Sequence, residues 1–439
     1  MQRRNFLKTS AATGAAIAVQ PFAIFKNGSP NEKIVFAVMG VRSRGLALAK
    51  AALKMKNAEI AYVCDVQQSY MDKCISEVAK IQGKKPKGEK DIRKVLENKD
   101  IDAVIMATPD HWHAPGAIMA VKAGKHVYLE KPCGHNPREG ELLIEAMDKY
   151  NRIIHMGNQR RSWPKVIEAI QALHAGEIGR VYYAKGWYSN NRSSIGFGKP
   201  AAIPEGLDYE LWQGPAPRTP YRDNIHPYNW HWFRRWGTGE ALNNGTHEID
   251  VMRWGLNVDY PTKVVAIGGR YHYQDDWEFP DTMTANYEFE GGKAFSWEGR
   301  SCNRTPVRGA GRGNMFYGEK GSMEIIGNGY KIYANDNKNT LLKEEKYEAP
   351  KDSTNATSPD ADLDTIHIMN LVTGIKDGKP TSSPIAEGHK SVLLCQLANI
   401  SWFTGRALDI DQRNGHIVGD KEAMKHWGRS YEPGWDPIV

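Results

Sequence analysis

Lys33-Ile34-Val35-Phe36-Ala37-Val38-Met39-Gly40-Val41-Arg42-Ser43-Arg44-Gly45 is the stretch that decides the fold. Lys33 to Met39 is a nearly unbroken apolar run, the pattern of a strand buried on both faces. Gly40 to Gly45 reads as a tight turn, and Leu46 to Lys56 has helical spacing. Strand, glycine turn and helix in that order aim unpaired amides and the positive end of a helix dipole at whatever lies over the turn. This is the physical basis of pyrophosphate binding. Glu59 to Cys64 forms the next strand and ends at Asp65. An acidic side chain there accepts hydrogen bonds from ribose hydroxyls and repels a 2′-phosphate, which favours NAD over NADP. The middle glycine of the usual fingerprint is replaced by Arg42, whose guanidinium can meet phosphate directly. Gly40, Arg42, Ser43, Arg44, Gly45 and Asp65 are therefore the first expected cofactor contacts.

More strand–helix units follow. Ile101 to Ala107 reads as a buried strand running into Thr108-Pro109-Asp110-His111-Trp112-His113, and Ala114 to Ala123 as a helix. His126 to Leu129 is the next strand and ends in Glu130-Lys131-Pro132. Pro137 opens a helix through Tyr150, and Arg152 to Met156 is a further strand. This alternation predicts an α/β domain with a doubly wound parallel sheet, whose ligands sit beyond the carboxyl ends of the strands. Thr108, Pro109, Glu130 and Lys131 fall at those ends, and His111 and His113 are expected on the nicotinamide side. No metal is expected: the two histidines lack third and fourth ligands at metal spacing.

The texture changes after Gln159. Pro164 to His174 is helical and Val181 to Tyr188 alternates as a strand does. Ser189 to Trp236 is polar, aromatic and proline-rich, the composition of loops over a site. Lys263 to Tyr271 is a strand; Thr282 to Phe289 and Lys293 to Gly299 form a hairpin, as do Met315 to Tyr317 and Ser322 to Ile326. Leu341 to Asp360 reads as an exposed charged loop, and Ala361 to Ile375 and Gly388 to Thr404 as helices. The expected organisation is a leader at 1–30, a nucleotide-binding domain at 31–158 and an α+β domain at 159–439. The second domain carries a large, mostly antiparallel open sheet, and its C-terminal segment packs back on the first domain.

Composition bounds the function. Hydrophobic content of 41% with 25% charged residues is that of an ordinary globular protein. The net charge of +7 is not gathered into a basic stripe, so no nucleic acid is expected as a partner. Met1-Gln2-Arg3-Arg4-Asn5-Phe6-Leu7-Lys8, followed by a short, weakly apolar stretch, resembles a twin-arginine signal. That implies the twin-arginine export machinery as a partner and a periplasmic or otherwise exported location. Five scattered cysteines form neither a disulfide framework nor a metal pattern. This suits a protein that folds in the cytoplasm before export.

Leu242-Asn243-Asn244-Gly245-Thr246-His247-Glu248-Ile249-Asp250 opens a helical segment. Asn243 and His247 are four apart and share a face if one helix holds both. An imidazole, with pKa near ~6.5, can accept an alcohol proton near neutral pH. Lys131, starting near ~10.4, is better suited to orient the oxygen and stabilise a developing alkoxide, unless burial beside NAD lowers its pKa enough for it to share base duty. Arg160, Trp187, Tyr188, Asn190, His226, Trp230, His231 and Asn243 are candidate substrate contacts.

The glycine turn, Thr108-Pro109-Asp110, Glu130-Lys131-Pro132 and the Gly245-Thr246-His247-x-x-Asp250 helix, in this order, resemble the Gfo/Idh/MocA family of sugar and cyclitol oxidoreductases. The resemblance implies a Rossmann domain, Lys131 and His247 as the catalytic pair with Asn243 beside them, and a dimer or tetramer. The family often has aspartate where Asn243 stands, and asparagine can position a hydroxyl but cannot relay its proton. The implied reaction is hydride transfer between a sugar or glycoside hydroxyl, C3 for example, and tightly bound NAD. The alternative is NAD-dependent glycoside hydrolysis through transient C3 oxidation and elimination. No Gly-Gly-His-Gly-Gly run like that of the glycosidase branch is present, so the oxidoreductase is the first expectation.

Overall fold

The computed structural model describes residues 33–348 and 360–439. The leader at 1–30 and most of the segment after Lys346 lie outside the described residues.

The first sheet contains β1 (Ile34–Met39), β2 (Ala58–Cys64), β3 (Lys87–Glu89), β4 (Ala103–Met106), β5 (His126–Leu129) and β6 (Ile154–Met156). Its order is β3-β2-β1-β4-β5-β6, and every pairing is parallel. The chain reverses its direction of winding between β1 and β4, where such sheets open a crevice. Gly40 shapes that point: it has φ +79°, and a Cβ there would stand 2.6 Å from the Ala107 carbonyl oxygen. The helix Gln68–Gln82 buries Met71, Cys74, Ile75 and Val78, a helical face diluted in the sequence by polar neighbours. Lys87 begins the short edge strand β3.

The second sheet contains β7 (Val181–Ser189), β8 (Lys263–Gly269), β9 (Thr282–Phe289), β10 (Lys293–Arg300), β11 (Arg312–Gly318), β12 (Gly321–Ile325), β13 (Gly329–Ala334), β14 (Leu341–Lys346) and β15 (Leu408–Asp409). The order is β14-β13-β12-β11-β7-β10-β9-β8-β15. All pairings are antiparallel except β7 with β10. Leu341 to Lys346, expected as exposed loop, is the edge strand β14. Its backbone pairs with β13 while its charged side chains stay largely in solvent, a common way of blunting a sheet edge. The helix Gly245–Leu256 lies on this sheet and buries Ile249, Val251 and Met252.

Two late helices join the halves. Asp360–Asp377 runs along the helix Arg44–Ala52, and its Ile368, Leu371 and Val372 share a core with Phe36, Val38 and Leu48. Ile385–Thr404 packs on both β8 and the helix Pro137–Tyr150. Among the described residues, no helix is long and apolar enough to cross a membrane.

Candidate active site

A cavity of about 890 Å³ opens at the carboxyl ends of β1, β2, β4 and β5 and extends to the start of β11. Lys131 enters from the end of β5. Its Nζ donates to the Asn243 carbonyl oxygen at 2.7 Å and lies 3.4 Å from Asn243 Oδ1. Burial pushes the ammonium below its ordinary pKa, and the nearby carboxylates of Glu130 and Asp110 oppose that shift.

His247 faces the same cavity from the other half of the molecule. Asn243 and His247 lie on two separate helices, so the condition for a shared helical face is not met. Gly239–Asn243 ends at Asn244 (φ −121°, ψ −36°), and a second helix begins at Gly245. The break turns the Asn243 carbonyl oxygen, freed of a helical partner, towards Lys131. Burial holds His247 well below the usual imidazole pKa, and the cations Arg312, Lys131 and Arg160 act in the same direction. The imidazole is therefore neutral at neutral pH.

Glu130 organises this end of the crevice. It accepts from Arg44 Nε at 2.8 Å, Gln159 Nε2 at 2.9 Å and the Lys131 backbone N at 3.1 Å. Burial alone raises its pKa, but Arg44 and Lys131 outweigh burial and keep it ionised. Arg44, expected to meet the cofactor, lines the cavity; its Nε donates to Glu130 and its two terminal nitrogens form a two-pronged pair with Asp364 at 2.7 and 2.9 Å. Glu248 plays the matching role in the other half. Fully buried, it pairs with both Arg160 (3.1 Å) and Arg312 (2.9 Å).

The residues fit a dinucleotide. Gly40, Arg42 and Ser43 border the cavity at the amino end of the helix Arg44–Ala52. Asp65 lies at the end of β2, where its Oδ2 accepts from the Val41 backbone N at 2.7 Å. Thr108 and Pro109 form the opposite wall, and Thr108 Oγ1 is buried without a partner among the described residues, a hydroxyl left for a ligand. Gly45 is off the wall. Its role is close packing, since a Cβ would lie 2.0 Å from the Gly40 carbonyl oxygen.

The other expected site residues divide. Arg160, Tyr188, Asn190, His226, Trp230, His231 and His113 all line the cavity. His113 bridges the carbonyls of Pro132 (2.5 Å) and Thr108 (2.9 Å), so it braces the two strand ends. His231 stacks on Trp230 at 3.6 Å, and its Nδ1 faces the Tyr228 carbonyl at 2.6 Å. Burial lowers its pKa to about 3. His111 and Trp187 are not in the cavity. His111 is buried against the Trp212 carbonyl, and the Trp187 indole donates to Ala310 beneath the second sheet. The apolar body of Trp187 simply found a core position. Among the described residues, no three His, Cys, Asp or Glu side chains gather as metal ligands. Sequence reading missed Arg312, Glu248, Tyr228 and Asp364. Tyr228 lies within the loop already flagged for its aromatics, but the other three are brought in by pairings no local pattern announces.

Comparison with known proteins agrees with this layout. Residues 34–158 match the NAD-binding Rossmann fold of the Gfo/Idh/MocA oxidoreductase family, and residues 212–324 match a Gfo/Idh/MocA C-terminal domain. Residues 1–19 match a twin-arginine translocation signal, so the chain is exported by that pathway. A glycosyl hydrolase family 109 protein of Saccharopolyspora erythraea is 29% identical over 219 residues, covering 45% of this chain and 48% of its own. An alpha-N-acetylgalactosaminidase of Tannerella forsythia is 28% identical over 237 residues, covering 48% and 49%. The chain thus spans about half the length of the curated relatives it matches. In fold it resembles an aldose-aldose oxidoreductase of Caulobacter crescentus solved with glycerol, with TM-score 0.66 and 17% identity over 86% of this chain and 100% of that one.

Proposed function

The chain is an enzyme of the Gfo/Idh/MocA family, and from that premise we propose that it cleaves a glycoside by oxidising a ring hydroxyl, C3 for example, transiently with tightly held NAD. The observation carrying this reading is the meeting of Lys131 and His247, from opposite halves of the molecule, in one cavity with the glycine turn. The glycosidase relatives support the hydrolytic outcome over net oxidation.

Gly40, Arg42 and Ser43 would hold the pyrophosphate of NAD, and Asp65 the ribose hydroxyls, which disfavours NADP. Bound NAD supplies the acceptor, and later the donor, of the hydride. His247 takes the hydroxyl proton as its neutral base. Lys131, held by the Asn243 carbonyl, donates to the same oxygen and stabilises charge that develops on it. A carbonyl at C3 acidifies the proton on C2. His231 is our candidate for removing that proton: with Nδ1–H donated to Tyr228, its Nε2 is left as an acceptor. Loss of the C2 proton expels the C1 oxygen substituent. Addition of water at C1 and of a proton at C2, with the hydride that bound NAD would give back to C3, makes the balance hydrolysis. Arg160, Tyr188, Asn190, His226 and Trp230 would frame the sugar.

Stopping after the first step gives the second reading, a glycoside oxidoreductase that releases a 3-keto product. The absence of a Gly-Gly-His-Gly-Gly run favours it. Incubation with glycosides in D₂O separates the two. Hydrolysis predicts a free reducing sugar carrying deuterium at C2 with no net NADH. A keto product without cleavage would overturn it in favour of the second reading. We assign subunit pairing, as dimer or tetramer, to the open face of the second sheet.

A further inference from the structure

A second cavity, of about 560 Å³, shares a wall with the first. Thr238 and Leu242 border it, whereas Asn243, at the end of the same short helix, faces the catalytic cavity. Its charge is one-sided. Arg234, Arg235 and Arg429 line it, against the single carboxylate of Glu278. Glu278 accepts from the backbone N of Arg234, not from its guanidinium. Among the described residues, the guanidinium of Arg234 is hydrogen-bonded only to His426 and that of Arg235 only to the Pro217 carbonyl, and neither meets a carboxylate.

The wall also holds buried polar atoms with nothing to bond. The Arg429 side chain is only 10% exposed; Nε and Nη2 are occupied by Glu139 and the His111 carbonyl, yet Nη1 has no partner. Gln396, 4% exposed, donates Nε2 to the Gly134 carbonyl and leaves Oε1 without a donor. Buried groups left this way are costly, and the space is far larger than the ~30 Å³ a water occupies. Phe279 and Phe403 add aromatic faces, with the Arg234 guanidinium carbon 3.9 Å from the Phe403 ring centre.

We propose that this cavity binds a small hydroxylated anion: a sugar or polyol carrying a carboxylate or a phosphate. Arginine forks recognise either head group. The Gln396 oxygen calls for a hydroxyl donor, and a phenyl face suits the C–H face of a sugar ring. The proposal is independent of what the first cavity does.

Calorimetric titration of the exported protein with glucuronate, glucose 6-phosphate and glucose tests it. At least one anion is expected to bind and glucose not to. The anion that binds identifies the head group. The double substitution R234A/R235A removes two exposed, unpaired cations and should weaken that binding about tenfold or more, while Lys131→Ala leaves it unchanged. Four results would each overturn the proposal: neither anion binding, glucose binding as well as the anions, unchanged affinity in R234A/R235A, or loss of binding in Lys131→Ala.

Discussion

The two sheets solve burial differently. In the first sheet, β1 and β4 are covered on both sides, and Phe36, Val38, Val104 and Ile105 are fully buried. In the second, β9 alternates buried and exposed along its whole length, and Ile267 on neighbouring β8 is 69% exposed. Each half then sends one functional group to the shared cavity: an ammonium from the end of β5, and an imidazole from a helix laid on the covered face of the second sheet. The difference teaches that the nucleotide half packs both faces of its sheet, whereas the other half packs one face and leaves part of the other open.

The sharpest way to break this comparison is a core truncation. Phe36→Ala should cost ~3–5 kcal/mol and lower Tm steeply; a small loss would mean that β1 is not the centre of the first half. Next come the two groups that meet in the cavity. Lys131→Ala and His247→Ala should each lower turnover by ~10²-fold or more with Tm little changed. Wild-type rates in both would refute their proposed pairing.

Acid treats the halves alike. Desolvation holds the buried His111 in the first and the half-buried His231 in the second near pKa 3, against ~6.5 in the unfolded chain. Below pH 6.5 the unfolded chain therefore binds protons that the folded one refuses. Stability should fall as pH drops from 6.5 towards 3, by ~1.4 kcal/mol per pH unit for each histidine. Thermal melts across that range check it, and two separate transitions would show that the halves unfold independently. The smallest effect is expected at Ile267→Thr, within ~0.5 kcal/mol for a lone subunit. A large loss that depends on protein concentration would instead show the open face covered by a second copy.

Most of the first half was legible because period and punctuation coincide there: His126–Leu129 and Pro137–Tyr150 fall where their apolar runs, Pro137 and the flanking turns put them. Lys131 and His247 were legible from the motifs around them. What stayed hidden depends on distance along the chain. The break at Asn244 follows from side-chain bonds to Glu240, the strand β14 from pairing with β13, and the paired charges of Glu248 from arginines that arrive long before and after it. Trp187 shows the opposite error, since an aromatic beside a polar loop carries no mark of which way it points.

The clamp of Asp364 on Arg44 has a consequence for the order of events during synthesis. The helix that opens behind the glycine turn gains its last ionic partner, and Leu48 its last apolar neighbours, only when residues past 360 have left the ribosome. The crevice is thus completed only once residues past 360 have been made. A nascent chain that has not yet reached residue 364 presents a nucleotide pocket without this clamp.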